Sequence, residues 1–252
     1  MKRLSILLCA LLLWGVVKLP AEQALSASRA RNHLTSVPLN LSLREQLGQL
    51  GFVAALSGFR AVVADFLFIQ AYAAWERTEW NRVFRLFRQV TTLQPRNLLF
   101  WDMAAWHMAW NAGTAALNNP KEPRLALRIK AQREYFDLAR DFLEDGIRNN
   151  PNRPQLYEAL ARLYRDKYKD HARASEYFAL AATKPGAPSY ERRFAAYELS
   201  YSEGHDEEAY ELLLDLYRAG EQEHLPTLIS RLKFFEERLK IPVDQRIPDA
   251  AR

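Results

Sequence analysis

The chain has a single cysteine, Cys9, which excludes an internal disulfide and any zinc site built on several thiolates. Glycine is scarce as well. Nine residues in 252 supply little material for the tight turns of a β-protein or for a loop that cradles phosphate. No G-x-S-x-G, P-loop or G-x-G-x-x-G sequence occurs. The histidines His33, His107, His171, His205 and His224 form neither an H-x-x-x-H pair nor an H-E-x-x-H set, so no metal ligands are named. A surplus of one charge sign is also missing. The net charge is +5, but acids and bases interleave along the chain, which is not the footprint of a nucleic-acid-binding surface. The acidic pairs Glu207-Glu208 and Glu236-Glu237 sit in charged helical stretches and read as solvated surface. No catalytic residue and no cofactor follow from the sequence.

What is present favours helix. Apolar residues make up 49% and aromatics 12%, too rich for disorder, and Ala, Leu, Arg and Glu dominate. At the N-terminus Lys2 and Arg3 precede an uncharged run of 14 residues, Leu4 to Val17, ended by Lys18 and Pro20. A spanning helix needs about 20 apolar residues. Two readings stand: a signal peptide cut near Ala21 or within Ala24 to Ser28, or an uncleaved signal-anchor that recruits Leu19, Pro20 and Ala21. The anchor is preferred, because Lys18 follows the core directly and no A-x-A tripeptide sits at the expected distance. Both place the remainder on the extracytoplasmic side of a bacterial-type membrane. Residues 1–21 are thus the membrane segment and 22–45, rich in Ser, Asn and Pro, a linker.

A second apolar run, Leu50 to Trp75, contains only Arg60 and Asp65 as charges. Opposite charges near its middle make a membrane span costly. A buried helix pair broken near Ser57-Gly58 is the preferred reading, with an apolar helix over 46–63, and contact with the membrane is the alternative.

From Ala64 onward the chain repeats. The small residues Ala71, Ala105, Ala161 and Ala196 are 34, 56 and 35 residues apart. Triplets in the second helix of each unit, Val83/Phe87/Val90, Ala139/Leu143/Gly146, Ala174/Phe178/Ala181 and Ala209/Leu213/Leu216, follow at 56, 35 and 35. Pro95, Pro151 and Pro185 close the first three units. With Tyr157, Leu160, Ala161 and Tyr164 followed by Ala174, Phe178 and Ala181, the chain resembles the tetratricopeptide repeat (TPR), whose period is about 34 residues. Gln70 and Arg192 depart from the family pattern, where larger apolar or aromatic residues are usual. The resemblance implies an all-α chain, an α-solenoid of TPR-like hairpins over 64–240 with units at 64–97, 98–153, 154–188 and 189–222 and a capping helix at 226–240. An N-terminal hydrophobic anchor helix precedes it, and a frayed tail, 241–252, follows. The 56-residue spacing predicts two lengthened helices in the second unit, Leu98 to Leu117 and Pro123 to Arg148.

In that family the first helix of each hairpin lines a concave groove. The positions this implies include Phe68, Tyr72 and Trp75 in unit one and Asp102 and Trp106, with Trp110 adjacent, in unit two. Unit three supplies Glu158, Arg162 and Arg165, and unit four Arg193 and Tyr197. Aromatics and arginines are common binding hot spots, and an arginine pair suits an acidic group on a partner. The competing reading makes the tryptophans core and the arginines solvated charge. The expectation is a membrane-tethered, non-catalytic scaffold that binds a protein or peptide partner, with no nucleic acid, cofactor or metal. The alternatives are a helical enzyme acting on cell-wall or surface polysaccharide and a structural subunit packed in or on the membrane.

Overall fold

The computed structural model describes residues 58–248. The expected membrane segment and linker, and the apolar helix up to residue 57, lie outside the described residues. Every regular element among the described residues is helical and none is a strand, so this part of the chain is all-α. No helix among them is long and apolar enough to cross a membrane. The chain divides after Phe100 into two compact units.

In the first unit α1 (Arg60–Glu76) and α2 (Trp80–Leu93) form a hairpin. Ala64, Ala71 and Ala74 give α1 a smooth buried stripe, and α2 answers with Val83, Leu86, Phe87 and Val90. Small against large lets the backbones approach and the larger chains interdigitate. The turn between them is a Schellman motif: the amide of Thr78 donates to the carbonyl of Trp75 at 2.8 Å and that of Glu79 to Ala74 at 2.9 Å. The left-handed position, usually glycine, is held by Thr78 at φ 57°. Residues Val62, Phe66 and Ile69 lie on the outer side of α1, 61%, 60% and 64% exposed.

The second unit begins within α3 (Leu98–Trp106), which continues through a π-helical turn (His107–Ala112) into α4 (Gly113–Leu117). Then come α5 (Leu125–Asn149), α6 (Pro154–Leu163) with its own π-helical turn (Tyr164–Tyr168), α7 (His171–Ala182), α8 (Tyr190–Leu199), α9 (Asp206–Arg218) and α10 (Pro226–Arg238). Proline occupies the first turn of α6 and α10, where its missing N–H costs nothing. Asp170 caps α7 by accepting from the Arg173 amide at 2.9 Å. Gly146 of α5 lies so close to Trp101 that a Cβ there would sit 2.9 Å from the indole Cγ. Ala161, Phe178 and Ala195 join α6, α7 and α8 in one apolar cluster. Leu213, Leu216, Leu228, Leu232 and Phe235 do the same for α9 and α10.

The chain after α10 is not frayed up to Ile247. That side chain is buried in the α9–α10 core. Its amide donates to Glu236 Oε1 at 2.6 Å, and its carbonyl accepts from Lys233 Nζ at 2.5 Å. Glu236, which reads as surface from its charged neighbours, is fully buried and also pairs with Lys233 at 3.3 Å. One carboxylate thus anchors Ile247 to α10.

Candidate functional site

In the first unit Phe68, Tyr72 and Trp75 of α1 form a short ladder of rings. The Phe68 ring lies 5.1 Å from Tyr72, 5.9 Å from Phe87 and 5.1 Å from Phe100, and Tyr72 lies 5.9 Å from Trp75 edge to face. Phe68 is therefore tied to the core of this hairpin. Tyr72 and Trp75 are half-buried.

In the second unit the tryptophans separate. Trp101 is core, packed on Gly146 and 6.5 Å from the Phe142 ring. Trp106 is 41% exposed, its ring 5.1 Å from that of His107. Trp110 is half-buried, with the Lys167 ammonium 4.7 Å over its ring. His107 is buried, and burial pushes its pKa down from 6.5 to about 4. Its Nδ1 accepts from Asn111 Nδ2 at 3.1 Å, a pairing of positions i and i+4 across the π-helical turn.

Three helices, α3, α6 and α8, converge on one face of this unit. Arg162 of α6 reaches Asp102 of α3 at 4.0 Å and Glu158 of its own helix at 3.7 Å. Tyr190 of α8 donates its phenol to Glu158 at 3.2 Å. Both ion pairs are loose, and Arg162 and Asp102 are about half in solvent, a setting where such pairs are worth about 0–1 kcal/mol. Burial holds the Asp102 carboxyl above its ordinary range, with Arg162 opposing.

The arginines singled out by the sequence do not stand open. Arg165 makes a two-pronged contact with Asp166, Nε to Oδ1 at 2.8 Å, and lies 3.9 Å from Glu198. Arg193 holds Glu223 at 3.1 and 3.2 Å, tying α8 to the short turn before α10. Each guanidinium faces carboxylates of its own chain. Tyr197 is half-buried, and its hydroxyl finds no hydrogen-bond partner among the described residues.

Sequence reasoning missed Glu191. It is fully buried on α8, and no donor reaches either of its oxygens among the described residues. Burial first, then the neighbouring Glu158 carboxyl, pushes its pKa from 4.5 up to about 7. The signal that would have found it is spacing. Glu191, Ala195 and Glu198 follow at i, i+4 and i+7, so they share the buried stripe of α8. Glu198, one heptad on, is provided for: His171 Nδ1 stands 2.8 Å away, with Arg165 beyond it. Among the described residues Glu191 makes no ion pair within 4 Å, and Arg162 acts on it only as the weakest influence.

A separate cavity of about 640 Å³ opens over α8 between α7 and α9, walled by Ala179, Ala195, Leu199 and Leu212. None of the candidate groove residues Phe68, Tyr72, Trp75, Asp102, Trp106, Trp110, Glu158, Arg162, Arg165, Arg193 and Tyr197 lines it. Among the described residues no three His, Cys, Asp or Glu side chains are placed to hold a metal ion. No protein-family model matches the chain, and no curated protein or solved structure matches it.

Proposed function

We propose that the chain is a membrane-tethered, non-catalytic scaffold of tetratricopeptide type, an α-solenoid that holds a segment of a protein partner along the face made by its first helices. The observation that carries this reading is the convergence of Asp102, Glu158, Arg162 and Tyr190, from the three helices α3, α6 and α8, on one polar face. A surface assembled from several elements presents spaced, oriented contacts that a single helix cannot. Exposed Trp106 on the same run of helix offers a hot-spot side chain. Residues 1–21 tether this array, with the folded part extracytoplasmic.

The test is site-specific photocrosslinking in native membranes. A crosslinker at Arg162 or Trp106 captures a defined partner, and one at Glu207 on α9 does not. Equal capture from all three positions refutes the face assignment. Double substitution of Trp106 and Arg162 by Ala should then weaken capture while leaving the helical content intact.

A second reading has its own observation. The exposed side chains Val62, Phe66 and Ile69 follow one another along α1, with exposed Asp65 at their edge, and this apolar row suits packing on a membrane or on a membrane-embedded partner. A chain deleted of residues 1–45 would then still sediment with membranes. Release into the soluble fraction counts against it.

A further inference from the structure

We propose that the tip of the hairpin formed by α4 and α5 is a docking surface for an anionic lipid bilayer, into whose headgroup layer it sets Leu125, Leu127 and Ile129. This surface is distinct from the face made by α3, α6 and α8, and neither reading depends on the other.

The tip arises from an excess of length. α5 has 25 residues, whereas α7, the second helix of the next hairpin, has 12. At 1.5 Å per residue α5 is about 37 Å long. Its first turns have little cover: from Pro123 to Lys130 every residue except Arg128 is exposed. Three of them are large and aliphatic, Leu125 at 55%, Leu127 at 38% and Ile129 at 43% exposure. Leu125 and Ile129, four residues apart, share one side of the helix, and Leu127 stands on the other. A protein groove covers one side of a helix. Apolar side chains on both sides suit a medium that surrounds the tip.

Charge identifies that medium. Between Leu117 and Arg133 lie five cations, Lys121, Arg124, Arg128, Lys130 and Arg133, against one acid, Glu122. This short stretch carries +4 of the chain's net +5. Nearby carboxylates neutralise little of it. Glu122 takes both prongs of Arg124, at 2.8 and 3.1 Å, yet the arginine side chain stays 71% exposed. Glu134 lies 4.0 Å from Lys130, and both side chains are in solvent. Aliphatic side chains ringed by lysine and arginine suit a bilayer interface: the apolar groups reach the acyl boundary, and the long cationic stems hold the phosphates. The core of a protein interface is instead depleted of lysine and rich in aromatics. No aromatic residue lies between Leu117 and Arg133, which also removes the stacking platform that a single-stranded nucleic acid uses.

The tip is pre-formed. Arg128 Nη1 donates to the Leu117 carbonyl at 3.2 Å, closing α5 onto the end of α4. Asn118 Nδ2 donates to the Thr114 carbonyl at 3.0 Å, and Asn119 Oδ1 accepts from the Lys121 amide at 3.0 Å. A fixed turn therefore holds the aliphatic side chains outward.

The experiment uses the full-length chain carrying Cys9→Ser and Leu125→Cys, labelled at the introduced thiol with nitrobenzoxadiazole. It is reconstituted into vesicles of phosphatidylcholine alone or of an equal mixture with phosphatidylglycerol. With phosphatidylglycerol the emission is expected to shift to the blue and rise severalfold. In phosphatidylcholine alone it should report water, and in the mixed vesicles it should fall back at 1 M salt, where the Debye length is about 3 Å. The same label at Glu207 should report water in both lipids. Combined Lys121→Glu and Lys130→Glu should abolish the shift at position 125 with circular dichroism unchanged. A label at 125 that reports water in the mixed vesicles, that responds equally in both lipids, or that the charge reversal leaves unaltered overturns the proposal. So does a shift that appears only after solubilised native membrane proteins are added, which would assign the tip to a protein partner.

Discussion

Thr78 and Lys240 occupy the left-handed position at the ends of α1 and α10, at φ 57° and 54°. In both turns the two Schellman hydrogen bonds are present, so the conformation is imposed by the closure of the helix end. For a β-branched residue this conformation costs about 1–2 kcal/mol. Glycine removes the clash but gives the unfolded chain more freedom, returning about 0.4–1 kcal/mol. Thr78→Gly is therefore expected to stabilise by about 0.5–1 kcal/mol, read as a higher urea midpoint at unchanged slope. A lower midpoint would show that the threonine side chain makes a contact worth more than its strain. The shortage of glycine noted in the sequence becomes, at these two positions, strain accepted at helix ends.

Elements in the second unit are matched by size. The α3–α5 contact has Trp101 lying flat on Gly146, and the Cβ of any other residue would come within 2.9 to 3.2 Å of the indole and its Cβ. Alanine is the better helix former by about 1 kcal/mol. Those atoms are near the tryptophan backbone and cannot swing away, so overpacking of about 1–3 kcal/mol prevails. Gly146→Ala should lower stability by about 1–2 kcal/mol, measured by thermal unfolding, and Gly146→Ala with Trp101→Leu should recover part of it. The stripes Val83/Phe87/Val90 and Ala174/Phe178/Ala181 are legible because periodicity alone places them, and each of these residues is fully buried. What periodicity does not carry is the company a charged residue keeps. Glu191 in Tyr-Glu-Arg-Arg-Phe and Glu236 beside Glu237 look like surface in one dimension. Each sits on the buried side because of helix phase, and only the folded chain shows what stands opposite. The arginines were conspicuous for their type, but some of their own-chain carboxylates come from residues about 30 or more positions away, such as Glu198 for Arg165 and Glu223 for Arg193. Ile247 was illegible for a related reason. A lone apolar residue in a polar tail gives no stripe, and its burial depends on Lys233 and Glu236 meeting it.

Across the whole molecule two buried groups titrate against each other. Burial lowers His107 to about 4, so the unfolded chain takes up a proton there first, and stability from this group is lost as pH falls from 6.5 toward 4. Glu191 is raised to about 7, so the folded chain holds a proton that the unfolded chain has released, and its contribution is present at low pH and lost as pH rises from 4.5 through 7. Over roughly pH 4.5 to 6.5 the two slopes have opposite sign and largely cancel. Glu191→Gln should expose the histidine slope, with stability rising as pH increases over this window. His107→Gln should expose the opposite slope, with stability falling. Chemical denaturation at half-unit pH steps reads both, and parallel profiles for the two variants would contradict the assignment.

The anchored tail has a consequence in time. The Ile247 amide points into a buried carboxylate, one residue before Pro248. A backbone N–H exchanges with solvent only when its hydrogen bond opens, and near a chain end that is normally within moments. Here opening requires withdrawing Ile247 from the α9–α10 core. In deuterated water this amide should therefore exchange in step with the amides in the middle of α10, hours behind those of Val243 and Asp244 a few residues earlier. Glu236→Gln, which weakens the acceptor, should bring it forward.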